Sequence, residues 1–156
     1  MKTYLTFALF LALNFIALGI GGYFTGPAVA SDWYQMLNKA PWTPPGFVFG
    51  IAWTTIMICF SFFNVQLLKK TSEAGRKNFW LLYGLQWLLN VAWNPLFFHF
   101  HLSGLALLEI SMLAALVSYY LYLGWQQIKF NALWVLPYFV WMWIATSLNA
   151  YIVWAN

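Results

Sequence analysis

The stretch 4–24, YLTFALFLALNFIALGIGGYF, runs for 21 residues without a charged side chain. An α-helix rises about 1.5 Å per residue, so a helix of this length crosses the roughly 30 Å hydrocarbon core of a bilayer. Four apolar runs of similar length follow, at 46–68, 79–98, 104–125 and 132–154. None alternates apolar and polar residues as barrel strands do, and lipid offers no partner for an unpaired backbone group. The sequence therefore predicts an all-α integral membrane protein, built as a five-transmembrane-helix bundle.

Composition excludes a water-soluble globular protein. Hydrophobic residues make up 63% of the 156 residues, charged residues only 6%, and the mean hydropathy is +0.72. A soluble domain carries roughly a quarter charged residues. The net charge of +4 therefore bears on membrane topology rather than on nucleic acid. We predict a single transmembrane domain over 1–156, with the lipid bilayer as partner and no nucleic acid bound.

Basic residues predict the orientation of the bundle. With five spans, the amino terminus and the second and fourth connections share one face, which collects Lys2, Lys69, Lys70, Arg76, Lys77 and Lys129. The opposite face carries only Lys39. Because cytoplasmic connections are enriched in Lys and Arg, we expect a multi-pass protein of the cell membrane with a cytoplasmic amino terminus. The carboxyl terminus and the long first connection, 25–45, are then extracytoplasmic.

A cleaved secretory signal is the alternative interpretation of the first run, because Ala28-Val29-Ala30 imitates an A-x-A cleavage site. The apolar run is longer than the roughly 7–15 residues of a signal core. It also contains Asn14 and a glycine cluster suited to helix packing. We therefore expect the first helix to be retained, with cleavage after Ala30 as the open alternative.

Several tryptophans lie inside the predicted spans, where an indole N–H needs a partner that lipid does not supply. They are Trp53, Trp87, Trp93, Trp141 and Trp143. The other tryptophans fall near span ends, as interfacial belts do. Ordinary aromatic packing is the commoner explanation for any one in-span tryptophan. As a group, they favour a pocket for a flat aromatic ligand.

Amide side chains recur every four residues in the third span, at Gln86, Asn90 and Asn94. This spacing places them on one face of a helix. Pro95 follows directly and removes a helical donor, so we expect a bend there. Asn149 is a further intramembrane amide, in the fifth span. Two interpretations stay open for these amides, namely hydrogen bonds between helices and contacts with a ligand.

The depth of each candidate follows from a rise of about 1.5 Å per residue, counted from the extracytoplasmic span ends. The candidates fall between about 7 and 19 Å deep, and they are Trp53, Asn90, Trp93, Trp141, Ala145 and Asn149. These depths predict a cavity in the outer half and centre of the bilayer. The connection 25–45 would then serve as its lid.

Two histidines and one glutamate are further candidates for a functional role. His99 and His101 lie at a span end, where interfacial packing is far commoner than metal ligation, so we predict no metal site. Glu109 is the one carboxylate inside a predicted span. It is either a functional acid, or it reaches the polar headgroups from a position near the span end.

Three motifs resemble the TspO/MBR family of tryptophan-rich sensory and translocator proteins, in the form of its bacterial members. The segment 33–45, WYQMLNKAPWTPP, followed by Trp53, is similar to the family's W-Y-x-x-L-x-K-P-x-W-x-P-P signature. The third span offers Gln86, Asn90 and Trp93 at the family's spacing. The segment 137–149, PYFVWMWIATSLN, is similar to its P-Y-x-x-W-x-x-x-A-x-x-L-N pattern. The resemblance covers essentially the whole chain.

The resemblance implies a five-helix bundle, commonly a homodimer, that binds protoporphyrin IX or related tetrapyrroles under the first loop and requires no cofactor. Isoquinoline carboxamides and benzodiazepines use the same cavity in the family. Bacterial members are linked to light- and oxygen-dependent porphyrin breakdown, which implies a catalytic role for Trp53 and Trp141. The resemblance and the amide side chains of the third span together give the expected ligand-binding residues, which are Tyr34, Trp42, Trp53, Gln86, Asn90, Trp93, Asn94, Trp141, Ala145 and Asn149.

Transport or sensing of porphyrins or other small lipophilic molecules, without catalysis, is the alternative function. The sequence also departs from the family pattern, because Lys39-Ala40-Pro41 replaces its lysine–proline pair and predicts a different turn in the lid. Lys39 either meets a porphyrin propionate or is a solvated lysine, which is the commoner case. No Lys or Arg follows Lys129, so we predict no sterol site.

Overall fold

A computed structural model describes residues 2–156, which form helices and no strands. The α-helices are α1 (Thr3–Ala28), α2 (Asp32–Met36), α3 (Gly46–Lys70), α4 (Arg76–Asn94), α5 (Ser103–Ile128) and α6 (Leu136–Ala155). A π-helical turn, Pro95–His99, follows α4, and a 3₁₀ segment, Lys129–Val135, joins α5 to α6. The prediction of an all-α protein is confirmed.

Three stretches are long and apolar enough to cross a membrane by length and composition, namely Thr3–Ala28, Gly46–Lys70 and Ser103–Ala155. The last stretch contains both α5 and α6, which fold back on each other. α4 falls outside this set because it begins with Arg76 and Lys77 and carries several amides within its 19 residues.

The outer surface of the bundle is apolar. Ile16 on α1 and Leu81 and Leu88 on α4 are each more than half exposed. Water-soluble monomers seldom expose contiguous apolar surface, whereas lipid tails cover it without loss of hydrogen bonds. The surface is therefore that of a membrane protein.

Side-chain contacts define the relative directions of α1 and α3. The ring of Phe7 lies 4.4 Å from the ring of Phe62, measured between centroids. Further along α1, the side-chain amide of Asn14 donates to the backbone carbonyl of Met57 at 3.3 Å. Residue numbers rise along α1 while they fall along α3, so the two helices are antiparallel.

α4 runs parallel to α1. Phe79 packs against Phe10 with 6.0 Å between ring centroids, and near the other end of both helices the Thr25 hydroxyl donates to the Asn94 side-chain oxygen at 2.9 Å. Residue numbers rise together along the two helices. α4 therefore returns in the direction of α1.

α5 and α6 form an antiparallel hairpin. The side-chain amide of Asn149 donates to the backbone carbonyl of Ser103 at 2.9 Å, and Gly124 lies against Ala132. The chain reverses at Lys129, which takes the left-handed φ of 53° that glycine usually supplies.

These helix directions decide which helix ends lie together at each end of the bundle. At one end, α1 and α4 begin and α3 and α5 end. We call it the basic end, because it carries Lys2, Lys69, Lys70, Arg76, Lys77 and Lys129. The opposite end, the loop end, carries α2 and the rest of the connection between α1 and α3.

The core is aromatic, and α1 contributes to it directly. Phe10 of α1, Phe60 and Phe63 of α3, and Tyr120 of α5 have almost no exposed surface. The Phe60 ring packs edge-on against Tyr120 with 5.6 Å between centroids. Such offset and perpendicular aromatic pairs stabilise beyond their buried area.

A polar contact ties the middle of α1 to two other helices. The Asn14 amide donates to the Ser61 hydroxyl at 2.9 Å, and its oxygen accepts from the Tyr83 hydroxyl at 2.8 Å. Asn14 is buried, so both of its polar groups find partners inside the bundle.

The observed bounds differ from the predicted runs in several places. α1 extends to Ala28, so the first four residues of the predicted connection 25–45 are helical. The helix α2 was not predicted; Ser31 caps it by accepting from the backbone N–H of Tyr34. Pro95 ends the α-helical part of the third run, and the chain continues as a π-helical turn in which the N–H of Phe100 reaches the Pro95 carbonyl. The fifth run begins as 3₁₀ helix, so α6 starts only at Leu136.

Gly124 allows the close approach of α5 to α3, which yields a testable prediction. A Cβ atom at Gly124 would lie 2.6 Å from Cε2 of the buried Phe63, so we expect Gly124→Ala to lower stability by about 1–3 kcal/mol. The matched control is Gly84→Ala, whose Cβ would meet no described atom within 4 Å. Thermal unfolding in detergent, followed by circular dichroism, measures both. Equal behaviour of the two variants would contradict the close packing at Gly124.

Candidate ligand-binding site

The hydroxyl of Tyr138 is the polar centre of the predicted site. It accepts a hydrogen bond from the side-chain amide of Gln86 at 2.8 Å and another from that of Asn90 at 2.7 Å. Gln86 and Asn90 are one helical turn apart on α4 and so present their amides side by side to α6. All three residues are buried. The interpretation of these amides as hydrogen bonds between helices therefore holds for both of them in this structure.

The two tryptophans that were expected to act on a ligand lie beside this centre, on facing helices. Trp53 of α3 packs edge-on toward the ring of Tyr138, with 6.1 Å between centroids. Trp141 of α6 is buried and packs edge-on against Phe49 of α3, with 5.2 Å between centroids. Tyr138 and Trp141 are three residues apart on α6 and share a face of that helix. The seam between α3 and α6 thus joins both tryptophans to the polar centre.

Trp93 and Asn149 form a second polar contact, nearer the loop end. The indole N–H of Trp93 donates to the side-chain oxygen of Asn149 at 3.0 Å, and the amide of Asn149 donates to the backbone carbonyl of Ser103. The Trp93 ring stacks on Phe97 with 5.0 Å between centroids. This chain of contacts connects α4, α6 and the start of α5.

Asn94 faces a different helix from Gln86 and Asn90, the other two amides that recur every four residues. It accepts from the Thr25 hydroxyl and lies so close to Gly21 that a Cβ there would be 2.8 Å from its Nδ2 atom. Each step of four residues advances about 40° around a helix, so Asn94 is rotated by about 80° from Gln86. The expected single polar face is therefore divided: Gln86 and Asn90 point to α6, and Asn94 points to α1.

The connection at the loop end is bonded to the end of α6. The backbone N–H of Asn38 donates to the side-chain oxygen of Asn156 at 2.9 Å, and the amide of Asn156 returns a bond to the Asn38 carbonyl. The indole N–H of Trp42 donates to the Ser147 hydroxyl at 3.2 Å, and its ring packs against Tyr151. The segment therefore lies over α6, the helix that carries Trp141.

Tyr34 lies on α2, within this connection. The ammonium group of Lys39 sits 4.4 Å from the centre of the Tyr34 ring, which is a cation–π contact. Partial burial raises the pKa of the Tyr34 hydroxyl, so the phenol stays protonated at neutral pH and offers an O–H donor. Lys39 is thus held against an aromatic ring rather than being freely solvated.

An apolar groove of about 460 Å³ runs between α3 and α6. Trp141 lines it together with Ala52, Ile56, Pro137 and Val140. Among the expected ligand-binding residues, Trp141 is the one that faces this groove. Ala145 is half-buried one turn further along α6, where it packs on the main core.

Glu109 is buried, with only 4% of its surface exposed. The interpretation that it reaches the headgroups is wrong, because Ala106, Leu113 and Val117 mark its face of α5 as the buried one. Neither carboxylate oxygen has a hydrogen-bond partner among residues 2–156. An ionised carboxylate in such surroundings is strongly disfavoured unless a partner is supplied.

The two histidines make aromatic contacts at the loop end. His101 stacks on Trp33 with 3.9 Å between ring centroids, and His99 packs edge-on against Phe24 and Phe100. Within residues 2–156 no group of three or more His, Cys, Asp or Glu side chains lies together.

Tyr138 and Thr25 are the site residues that the sequence analysis missed. Tyr138 stands within the quoted 137–149 motif, three residues before Trp141, so its position on the same helix face was the available signal. Thr25 fell in the predicted loop because α1 extends further than its apolar run.

Comparison with known proteins adds independent information. The family model described as the TspO/MBR family matches residues 7–155. A tryptophan-rich protein TspO of Chlorobaculum tepidum is 30% identical, over 99% of this chain and 98% of that protein. A tryptophan-rich sensory protein of Cereibacter sphaeroides is 29% identical over 89% and 87%. The translocator protein of Homo sapiens is 30% identical over 80% and 74%. The resemblance seen in the motifs is confirmed.

The Tyr138 centre yields a matched pair of variants. Tyr138→Phe leaves the amides of Gln86 and Asn90 without their acceptor, so we expect a loss of about 1–3 kcal/mol in the free energy of unfolding. Tyr120 is equally buried, but its hydroxyl has no partner in the described part of the chain, so Tyr120→Phe breaks no hydrogen bond and should not lower stability. Unfolding in detergent by increasing SDS measures both. A loss in Tyr120→Phe as large as that in Tyr138→Phe would argue against the centre.

Proposed function

The chain belongs to the TspO/MBR family of membrane proteins, and we propose that it binds protoporphyrin IX or a related tetrapyrrole within its helix bundle. The observation that carries this proposal is the seam between α3 and α6. There Trp53 and Trp141 lie beside Tyr138, whose hydroxyl accepts hydrogen bonds from two buried amide groups of α4. Aromatic faces beside a few hydrogen-bonding groups suit a flat ligand with polar edges.

We propose five membrane crossings, with α4 and its π-helical turn as the third. The segment 76–99 is roughly 35 Å long as a helix, enough to cross a bilayer. Its amides are bonded inside the bundle and so need not face lipid. The basic end is cytoplasmic by the positive-inside rule, which places the loop end outside. A homodimer, which the family implies, belongs to the same proposal.

A tetrapyrrole would exchange the internal hydrogen bonds of the site for its own. The amides of Gln86 and Asn90 already donate to one oxygen of Tyr138, and a ligand carboxylate or carbonyl would offer them a similar acceptor. At the loop end, the Lys39 ammonium and the Tyr34 hydroxyl are cationic and neutral donors for a propionate. Isoquinoline carboxamides and benzodiazepines, which are flat and carry carbonyl acceptors, fit the same description.

We propose further that bound porphyrin is broken down by light and dioxygen. The excited macrocycle passes its energy to dioxygen, and the resulting oxygen species adds both of its atoms across one bridging carbon–carbon bond of the ring. That bond opens and two carbonyl groups form, so the step needs no outside reductant. Trp53 and Trp141 hold the macrocycle in place while the oxygen species adds to it.

Transport or sensing of porphyrins or other lipophilic molecules without breakdown is the second candidate function. The groove of about 460 Å³ beside Trp141 favours it, because this apolar groove gives a lipid-dissolved molecule a lateral route to the seam. The two functions share the binding site and differ in the fate of the ligand.

Ligand binding gives a third prediction. We expect Trp53→Phe and Trp141→Phe each to weaken protoporphyrin IX binding by about two- to tenfold, the range of a single aromatic contact. Trp143→Phe is the matched control, because Trp143 lies two residues from Trp141 but is 53% exposed and should bind as wild type. Titration of the purified protein, read by the porphyrin absorption band, measures all three. Absence of saturable binding in the wild type would contradict the proposal.

Illumination separates the two functions. In the presence of dioxygen, the wild type and Trp143→Phe should lose the absorption of bound porphyrin faster than free porphyrin does, and Trp53→Phe and Trp141→Phe should lose it more slowly than the wild type. Uptake of porphyrin into proteoliposomes with no spectral loss would instead support transport. Spectral loss that is equal in every variant would remove both tryptophans from the mechanism.

A further inference from the structure

Glu109 is the buried acidic side chain that the proposed site does not yet use. It lies six residues after the start of α5, about 9 Å along that helix from the loop end. Its side chain is 4% exposed, and neither carboxyl oxygen has a hydrogen-bond partner among residues 2–156. A buried carboxyl group without a partner is costly, so its presence in the bundle calls for a function.

Glu109 lies near the polar centre of the proposed site. A charge on its carboxyl group acts on the hydroxyl of Tyr138, the group that accepts from the amides of Gln86 and Asn90. The side-chain oxygen of Gln86 is also buried and has no partner in the described part of the chain. Three buried oxygens without a donor, from α4 and α5, therefore lie in the neighbourhood of one hydroxyl of α6.

The basic side chains of the elements packed against α5 lie far from Glu109. These elements are α3, α4, α6, the π-helical turn and the 3₁₀ segment. Their lysines and arginine are at the basic end, and Lys129 is 20 residues from Glu109, or about 30 Å along the helix. Lys39 is held against the Tyr34 ring in the connection at the loop end. Besides Tyr138, the other titratable groups on these elements are Cys59, Tyr83, His99 and Tyr151.

Three of those other groups are engaged elsewhere. Tyr83 donates to the side-chain oxygen of Asn14, His99 packs on Phe24 and Phe100, and Tyr151 packs on Trp42 and Trp154. Tyr138 is thus the titratable group whose interaction with Glu109 the structure shows.

The proposed tetrapyrrole would bring a second carboxyl group into these surroundings. A propionate that accepts from the amides of Gln86 and Asn90 carries a negative charge into the bundle, and neutral amides alone do not balance that charge. An ionised Glu109 would repel the propionate, whereas a protonated Glu109 offers it an O–H donor. Two carboxyl groups that share one site away from water hold a single proton between them.

We propose that Glu109 is a ligand-binding residue that is protonated in the free protein and shares its proton with a carboxylate of the bound tetrapyrrole. This inference rests on the proposed function and narrows it, because the ligand must then carry a free carboxylate that reaches the interior of the bundle. The proton stays within the pair, and the remaining single negative charge is spread over two carboxyl groups and the amides of Gln86 and Asn90. A second propionate of the same ligand can still meet Lys39.

Infrared spectroscopy of the full chain in detergent at neutral pH tests the shared proton. The chain has three acidic side chains, and the other two, Asp32 and Glu73, are exposed and therefore ionised. We expect one carboxylic-acid carbonyl band in the wild type and in the control Glu73→Gln, and none in Glu109→Gln. Protoporphyrin IX should shift this band, and carbon-13 labelling of the protein separates it from the bands of the ligand. A wild type without the band, or a band that the bound ligand does not move, would overturn the proposal.

Binding measurements test the role of the carboxylate. Protoporphyrin IX and its dimethyl ester, which has the same ring but no ionisable carboxyl group, are titrated into the same three proteins. Glu109→Gln keeps the size and the N–H donors of the side chain but has no proton to share. We expect it to weaken binding of the diacid by about tenfold, as for the loss of one hydrogen bond to a charged group, and to change binding of the ester by less than about twofold. Glu73→Gln should bind both ligands as wild type does.

Two binding results would overturn this inference and leave the proposed function intact. Equal losses for the diacid and the ester in Glu109→Gln would mean that Glu109 supports the shape of the site and does not recognise the carboxylate. Unchanged binding of the diacid in Glu109→Gln would mean that Glu109 does not meet the ligand. In both cases the wild type still binds protoporphyrin IX saturably. Absence of saturable binding of either ligand to the wild type would contradict the proposed function itself, and this inference with it.

Discussion

The absence of water partners inside a membrane governs this structure. Every polar side chain that enters the bundle must be bonded to another part of the protein, and the helices are arranged so that most of them are. Asn14 is bonded to Ser61 and Tyr83, and Asn149 is bonded to Trp93 and Ser103. Each contact joins elements from different parts of the chain, so the same bonds that satisfy the amides also define which helices are neighbours and in what register. Apolar packing alone tolerates sliding of one helix along another; these directional bonds do not.

The candidate site is built from the same kind of contact, which links ligand binding to helix packing. Gln86 and Asn90 hold α4 to α6 through Tyr138. A tetrapyrrole that recruits these amides would replace a bond between helices by a bond between helix and ligand. Affinity then depends on the difference between the two sets of bonds, not on the new set alone. A ligand of this kind would also alter the fit of α4 against α6, which is a physical basis for a sensory role.

Much of the architecture was predictable because lipid imposes simple rules. The apolar run 4–24 predicted the start of α1 to within one residue, although α1 continues to Ala28, and the absence of alternation predicted helices throughout. The motifs around Trp53 and Trp141 predicted the family. The pattern did not reveal which neighbouring helix each side chain faces. Asn94 proved to face α1, since steps of four residues drift around a helix.

The burial and the hydrogen-bond partners of individual residues could not be predicted from the sequence for the same reason. Depth along a span placed Glu109 near an end, but its burial depends on which face of α5 meets the other helices. The sequence placed Tyr138 only within a motif, because a tyrosine in sequence does not reveal that two amides from a distant helix donate to its hydroxyl.

The reversal of the chain at Lys129 has a consequence for assembly of the bundle. It joins α5 and α6 over a short stretch of chain, so this pair loses little chain entropy when it closes. The contacts of α1 with α4 span up to 74 residues, as in the bond from Trp87 to Leu13. The hairpin of α5 and α6 is therefore the unit that can form locally once it has entered the bilayer, and the pairing of α1 with α4 has to wait until the intervening helices are in place.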